Sequence, residues 1–186
     1  MPVKQHGFTL LETLIALALS SAVLVGAGRL FPALQRGVLG QYQQEALQES
    51  LWQQAFGIGK HLRRAGYCNG QCAGAGLAIN NGGQCVITRW DTNSNGLWEP
   101  VGQQDAEATG FRLRDGSLET LKGATQCEGG GWQKISDPTL IVIRSFTVSR
   151  LGRRNMPPLL EINLSAFHKK SRRIVTVQHR VVGYNQ

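Results

Sequence analysis

The chain has 186 residues, is 41% hydrophobic and carries a formal net charge of +8. That suffices for one packed domain plus a long apolar anchor, and the absence of internal repeats or low-complexity stretches excludes a repeat array. The positive balance suits anionic headgroups, nucleic acid or an acidic subunit without choosing among them.

Lys4-Gln5-His6-Gly7 is a short polar leader, and an apolar run of Leu, Ala, Val and Ile begins at Phe8 and ends at Gly28. As a helix rising ~1.5 Å per residue, that run spans about one hydrocarbon thickness. Glu12 interrupts it near the start. A carboxylate in lipid is costly unless paired, so it marks function by default; the plainer reading is an anchor whose acid snorkels to the interface. A secretory signal would place small residues at a cleavage site after the run, whereas Arg29-Leu30-Phe31-Pro32 follows here.

Gly7-Phe8-Thr9-Leu10-Leu11-Glu12 resembles the class III signal of type IV prepilins and type II secretion pseudopilins. The resemblance implies that a prepilin peptidase cuts between Gly7 and Phe8 on the cytoplasmic side and N-methylates Phe8. It also implies that Glu12 is retained and pairs with the amino terminus of a neighbouring subunit in a filament core. Such a pair would replace two lone charges in lipid and set the docking register. Lys4 on one flank and Arg29 and Arg36 on the other leave orientation open. The cysteines and the resemblance put the C-terminal part outside the cytoplasm. The expectation is a single-pass bacterial inner-membrane protein with a periplasmic head, incorporated at the base or tip of a pilus.

Beyond the anchor, Leu47, Leu51, Ala55, Ile58 and Leu62 step by four, four, three and four, one stripe of an amphipathic helix. Gly26, Gly28, Pro32, Gly37 and Gly40 weaken the stretch before it, so a defect or kink is expected over residues 26–40. Lys60, Arg63 and Arg64 complement the dipole of a last turn that should end at Ala65-Gly66. The expected organisation is leader 1–7, membrane and filament-core helix 8–28, amphipathic helix 29–66 and a β-rich head 67–186.

In the head, glycines make residues 67–84 a loop with one short strand at Leu77–Ile79. Residues 85–90 are β-rich, and Thr109–Arg114 and Ser117–Leu121 flank Asp115-Gly116, a two-residue hairpin signal. A strand is expected over Thr139–Val148, and a hairpin pairs Leu159–Phe167 with Ile174–Val182 around Lys169-Lys170-Ser171-Arg172. The result is an α+β architecture in which a long N-terminal helix packs on a C-terminal antiparallel sheet. Residues 64–68, Val86 through Gly96, and the Phe111–Leu118 hairpin extend the resemblance over the whole chain to minor pilins and J-type pseudopilins.

The four cysteines, Cys68, Cys72, Cys85 and Cys127, all follow the anchor, and in an oxidising compartment they read as two disulfides. Three connectivities are possible; Cys68–Cys72, a small loop, with Cys85–Cys127, a clip between a strand and a later loop, is favoured. A four-cysteine zinc site competes, but the paired C-x2-C knuckles of such sites are missing. Asp91, Asn93 and Asn95 place oxygens at alternate positions before Gly96, as in the first half of an EF-hand-type calcium loop. There Leu97 would offer its carbonyl and Glu99 a carboxylate. The twelfth position, however, is Gly102, so Glu99, Asp105 or Glu107 would have to supply the closing acid. The competing reading is a polar turn between strands.

His6, His61, His168 and His179 have no metal spacing, and neither a zinc-protease motif nor a phosphate loop is present, so nothing points to an enzyme. Lys169, Lys170, Arg172 and Arg173, and Arg150, Arg153 and Arg154, form two basic clusters in expected loops. They read as solvated turns that blunt edge strands or as a surface for an anion such as DNA. Interleaved aromatics are lacking, so nucleic acid is not an expected partner. The function this supports is a minor pilin that starts type IV pilus assembly, with prepilin peptidase, other minor pilins, the major pilin and the inner membrane as partners. The alternatives are a type II secretion minor pseudopilin and a DNA-binding or adhesive pilus-tip subunit.

Overall fold

The computed structural model describes Gly7, residues 9–100, Gly102 and residues 106–186. One helix, α1, runs over Leu10–Arg64 without a break. Pro32 sits inside it, and the glycines of residues 26–40 do not end it. The weak residues are separated by Leu, Val, Ala, Phe and Gln, so a single missing N–H is carried by helix on both sides. The chain divides into two compact units, residues 1–42 and residues 43–186.

In the first unit, every described residue from Thr9 through Leu39 is exposed. In the second, the stripe Leu47, Leu51, Ala55, Ile58 and Leu62 is buried, none of the five more than 3% exposed. α1 closes with Ala65, whose N–H reaches the His61 carbonyl at 2.9 Å, while the Gly66 N–H turns out to the Arg89 carbonyl at 2.8 Å. Gly66 has φ +87°, and a Cβ there would lie 2.2 Å from the Asn185 carbonyl oxygen. Glycine is thus required twice over, for the left-handed turn and for the close approach of the C-terminus.

The head holds two antiparallel sheets where the sequence reads as one. The first is a meander of β1 (Leu77–Asn80), β2 (Cys85–Arg89), β3 (Ala108–Arg114), β4 (Ser117–Lys122) and β5 (Gln133–Lys134). The second is β6 (Ile141–Arg153), β7 (Met156–His168) and β8 (Ile174–Val182). Asp115 and Gly116 take φ of 49° and 69°, the doubly left-handed turn that suits a two-residue hairpin. The Gly116 carbonyl then accepts the Ile143 N–H at 2.8 Å, joining the two sheets.

The helix stripe packs with Phe146, Val148, Leu160, Ile162 and Leu164 of the second sheet and with Val86, Phe111 and Leu118 of the first. β2 is buried on both faces, which explains its unalternating run Cys85-Val86-Ile87-Thr88. Val86 faces the main core, while Cys85 and Ile87 face a smaller cluster with Ala124 and Cys127, flanked by Trp132. That cover over the outer face separates the first sheet from the second.

β6 and β7 each run for 13 residues, longer than the sequence reading. Pro157 and Pro158 argue against a strand start at Met156. They are accommodated because the β6–β7 register skips between Leu151 and Arg153, leaving both prolines outside the ladder.

Candidate functional site

The helix start is built by two residues of the apolar segment. The Glu12 Oε2 accepts the Thr9 N–H at 2.9 Å and the Thr9 hydroxyl at 3.0 Å, and the Glu12 N–H donates to the Thr9 Oγ1 at 3.3 Å. This is a capping box, in which an N-cap threonine and the glutamate three residues on satisfy each other's backbone donors. The carboxylate also sits where the helix dipole favours negative charge. Thr9-x-x-Glu12 before an apolar run is the sequence signature of that box, so Thr9 was legible and was missed. Gly7 is exposed, and Phe8 lies outside the described residues.

The connection between β2 and β3 is the second site. Asp91 is buried and turned inward onto backbone: its Oδ2 accepts the N–H of Asn69 at 3.0 Å and of Gly96 at 2.9 Å, and its Oδ1 that of Asn95 at 3.1 Å. Burial alone would push this carboxyl up, but the surrounding N–H donors outweigh it and hold it below the ordinary aspartate range. The Asn93 Oδ1 accepts the Asn95 N–H at 3.0 Å, and the Asn95 Oδ1 accepts the Leu97 N–H at 2.9 Å. These are Asx-type turns, so Asp91 and the two asparagines shape the loop first.

Two glutamates converge on it. The Glu107 Oε1 accepts the N–H groups of Thr92 and Asn93, and the Glu99 Oε1 accepts from the Asn95 amide. The Oε2 atoms of Glu99 and Glu107 are both buried without a hydrogen-bond donor among the described residues. Burial pushes the Glu107 carboxyl above the ordinary range, and the Glu99 charge adds to it; the Asn95 amide holds Glu99 below. Asp105, the other acid proposed to close this loop, lies outside the described residues.

The chain matches the family model described as prepilin peptidase-dependent protein B over residues 40–183. It also matches the prokaryotic N-terminal methylation motif over residues 3–28. Prepilin peptidase-dependent protein B of Escherichia coli (strain K12) is 46% identical over 186 residues, covering 100% of both chains. The chain belongs to the prepilin peptidase-dependent protein B family. No solved structure matches it. It is thus a type IV minor-pilin-like protein, a structural class and not a known enzyme family, and its α+β pilin-like architecture agrees with that placement. α1 is long and apolar enough to cross a membrane, and the methylation motif covers its first part.

In this member of the prepilin peptidase-dependent protein B family, the cysteines form two disulfides, Cys68–Cys72 and Cys85–Cys127. Both sulfurs beside Asp91 are therefore bonded to each other, and no thiolate is left for a zinc site. The Cys127 loop is also held by a side chain that sequence reading missed. Arg112, on β3, donates to the Glu119 Oε2 at 2.8 Å and to the Cys127 carbonyl at 2.6 Å, and its guanidinium lies 4.2 Å above the Trp132 ring. Arg112 and Glu119 face each other across the β3–β4 ladder and are both buried. Opposite charges flanking a two-residue hairpin were the available signal.

The basic clusters do not merge. Arg150 and Arg153 stand in β6, where the sequence reading expects a loop, because the strand runs on beyond Val148, and Arg154 lies in the turn after it. Lys169, Lys170, Arg172 and Arg173 lie at the β7–β8 turn, so the clusters sit at opposite ends of β7, about 40 Å apart along a strand of 13 residues. Arg153 donates to the Pro157 carbonyl at 3.0 and 2.7 Å, and Arg173 to the Gln44 amide oxygen at 3.2 Å. The histidines are likewise dispersed: His61 lies edge-on to Phe111, His179 edge-on to Phe56, and the His168 Nδ1 accepts the Lys170 N–H at 3.2 Å.

Proposed function

We propose that this chain is a minor pilin, stored in the bacterial inner membrane with its head in the periplasm, that joins other minor pilins to start a type IV pilus and then meets the major pilin. Residues 1–7 are the leader that a prepilin peptidase removes, Phe8 is the methylated terminus, and residues 8–28 are the membrane and filament-core segment. The carrying observation is the pairing of a methylation motif with a helix whose apolar residues, from Leu10 through Leu39, are uncovered by the rest of the chain. A helix apolar on all sides needs lipid or other subunits around it. The name of the Escherichia coli relative, a prepilin peptidase-dependent protein, supports processing by that peptidase.

Glu12 has two roles on this reading. In the stored subunit it closes the capping box with Thr9. On docking, its charge pairs with the amino terminus of a neighbour, which rewards assembly in a single register. Glutamine can fill the same box position but carries no charge. Glu12→Gln should therefore keep helix start and membrane insertion while abolishing pilus initiation, scored by pili per cell. Normal piliation together with normal protein export by Glu12→Gln would reduce Glu12 to a helix cap. A variant that leaves piliation intact but blocks protein export would assign the chain to a secretion filament instead.

A further inference from the structure

The loop between β2 and β3 is organised beyond what a polar turn requires. Glu107 is only 4% exposed, yet its Oε2 has no donor among the described residues, and neither does the buried Oε2 of Glu99. The two carboxyls are close enough for the Glu99 charge to push the Glu107 carboxyl up. Their Oε1 atoms are already fixed, Glu107 by the Thr92 and Asn93 N–H groups and Glu99 by the Asn95 amide. Both unpartnered oxygens thus belong to carboxylates held in place on the same short stretch, residues 92–95. Two buried carboxylates so placed repel unless a proton or a cation lies between them.

We propose that Glu99 and Glu107 hold one calcium ion between their Oε2 oxygens. Two carboxylates match the charge of a divalent ion. The donors are all hard oxygens, which excludes the soft metals that would need thiolate. A pair of carboxylate oxygens with solvent completing the shell suits calcium, which tolerates variable geometry, better than magnesium, which demands a near-ideal octahedron. Asp91 is not a ligand but the pin that shapes the loop, since its oxygens take three backbone N–H groups. Glu107 also lines a cavity of about 490 Å3 shared with Trp90 and His61, which gives an ion a way to its carboxylate. This site differs from an EF-hand, because the closing acid comes from the start of the next strand and not from the twelfth loop position. The proposal does not depend on the assembly role.

The test uses the full chain in detergent micelles, stripped with a chelator and titrated with calcium chloride. Calcium should raise the melting temperature, by about 5–10 °C at a hundredfold excess over its dissociation constant, and magnesium should raise it less. Glu107→Gln keeps an Oε1 acceptor for Thr92 and Asn93, and Glu99→Gln is a partly exposed second probe should the first fail to fold. Each should abolish most of the calcium-dependent shift. Absence of any shift at roughly 10 mM calcium, tenfold above the weakest extracellular calcium modules, would overturn the proposal. So would shifts in both variants equal to that of the unsubstituted chain. A rise in melting temperature on Glu107→Gln alone, with calcium adding nothing, would show that the carboxyls share a proton instead.

Discussion

Residues 9–39 and residues 47–62 belong to one helix, and their surroundings have almost nothing in common. In the first stretch, apolar side chains cover all sides and every one of them is exposed; in the second, five apolar residues fall on one face and all five are buried. The backbone is the same α-helix throughout. The difference lies in periodicity: a stripe can be satisfied by one sheet, whereas an all-round apolar surface needs an environment on every side. One helix thus carries two kinds of surface, one covered within the chain and one that the rest of the chain leaves uncovered.

The sharpest way to break this comparison is inside the head. Glu119→Ala leaves the Arg112 guanidinium buried without its carboxylate and should destabilise the head by about 3–5 kcal/mol. Chemical denaturation of the full chain in micelles, followed by near-UV circular dichroism, would measure it, while helix content of the N-terminal unit should not change.

Next in size is a matched pair on the helix itself. Leu51→Ala, at a fully buried position, should cost about 2–5 kcal/mol in the same assay. Leu24→Ala, at an exposed one, should stay within about 0.5 kcal/mol. Equal losses would mean that the two stretches are not separate packing units.

The smallest effect is pH dependence, and it should come from the head alone. Burial holds His61 below the ordinary histidine range, with Lys60 and Arg64 adding to it, and burial with Arg63 does the same for His179. Below about pH 6.5 the unfolded chain takes up protons that the fold resists, so stability should fall as pH drops through that value. Melting temperatures between about pH 7 and pH 5 would show the slope, and His61→Gln should flatten it.

Much of this was legible in advance, for identifiable reasons. The buried stripe was readable because helical spacing and apolarity coincide at Leu47, Leu51, Ala55, Ile58 and Leu62. The β3–β4 hairpin was readable because Asp-Gly accepts two left-handed residues in succession. The passage of the helix beyond the anchor was readable as well, but how Pro32 is tolerated inside it was not, since local propensity counts the missing N–H and ignores the helix on either side. Nor were the long β6 and β7, because prolines argue against a strand unless a bulge removes them from the ladder.

At the two candidate sites the division is finer. The motif Gly7 through Glu12 and the alternating oxygens of Asp91, Asn93 and Asn95 were both visible as spacing. Which atoms those oxygens bind was not, and the structure spends Asp91 on three backbone N–H groups while leaving oxygens of Glu99 and Glu107 unpartnered. Periodicity and short motifs act through neighbours along the chain, so the sequence by itself determined the anchor, the amphipathic stripe, the hairpins and the family. Contacts such as Arg112 over Trp132, Gly66 beneath Asn185 and Glu107 against the 92–93 backbone depend on segments distant in sequence, and only the packing of the two sheets around α1 decided them.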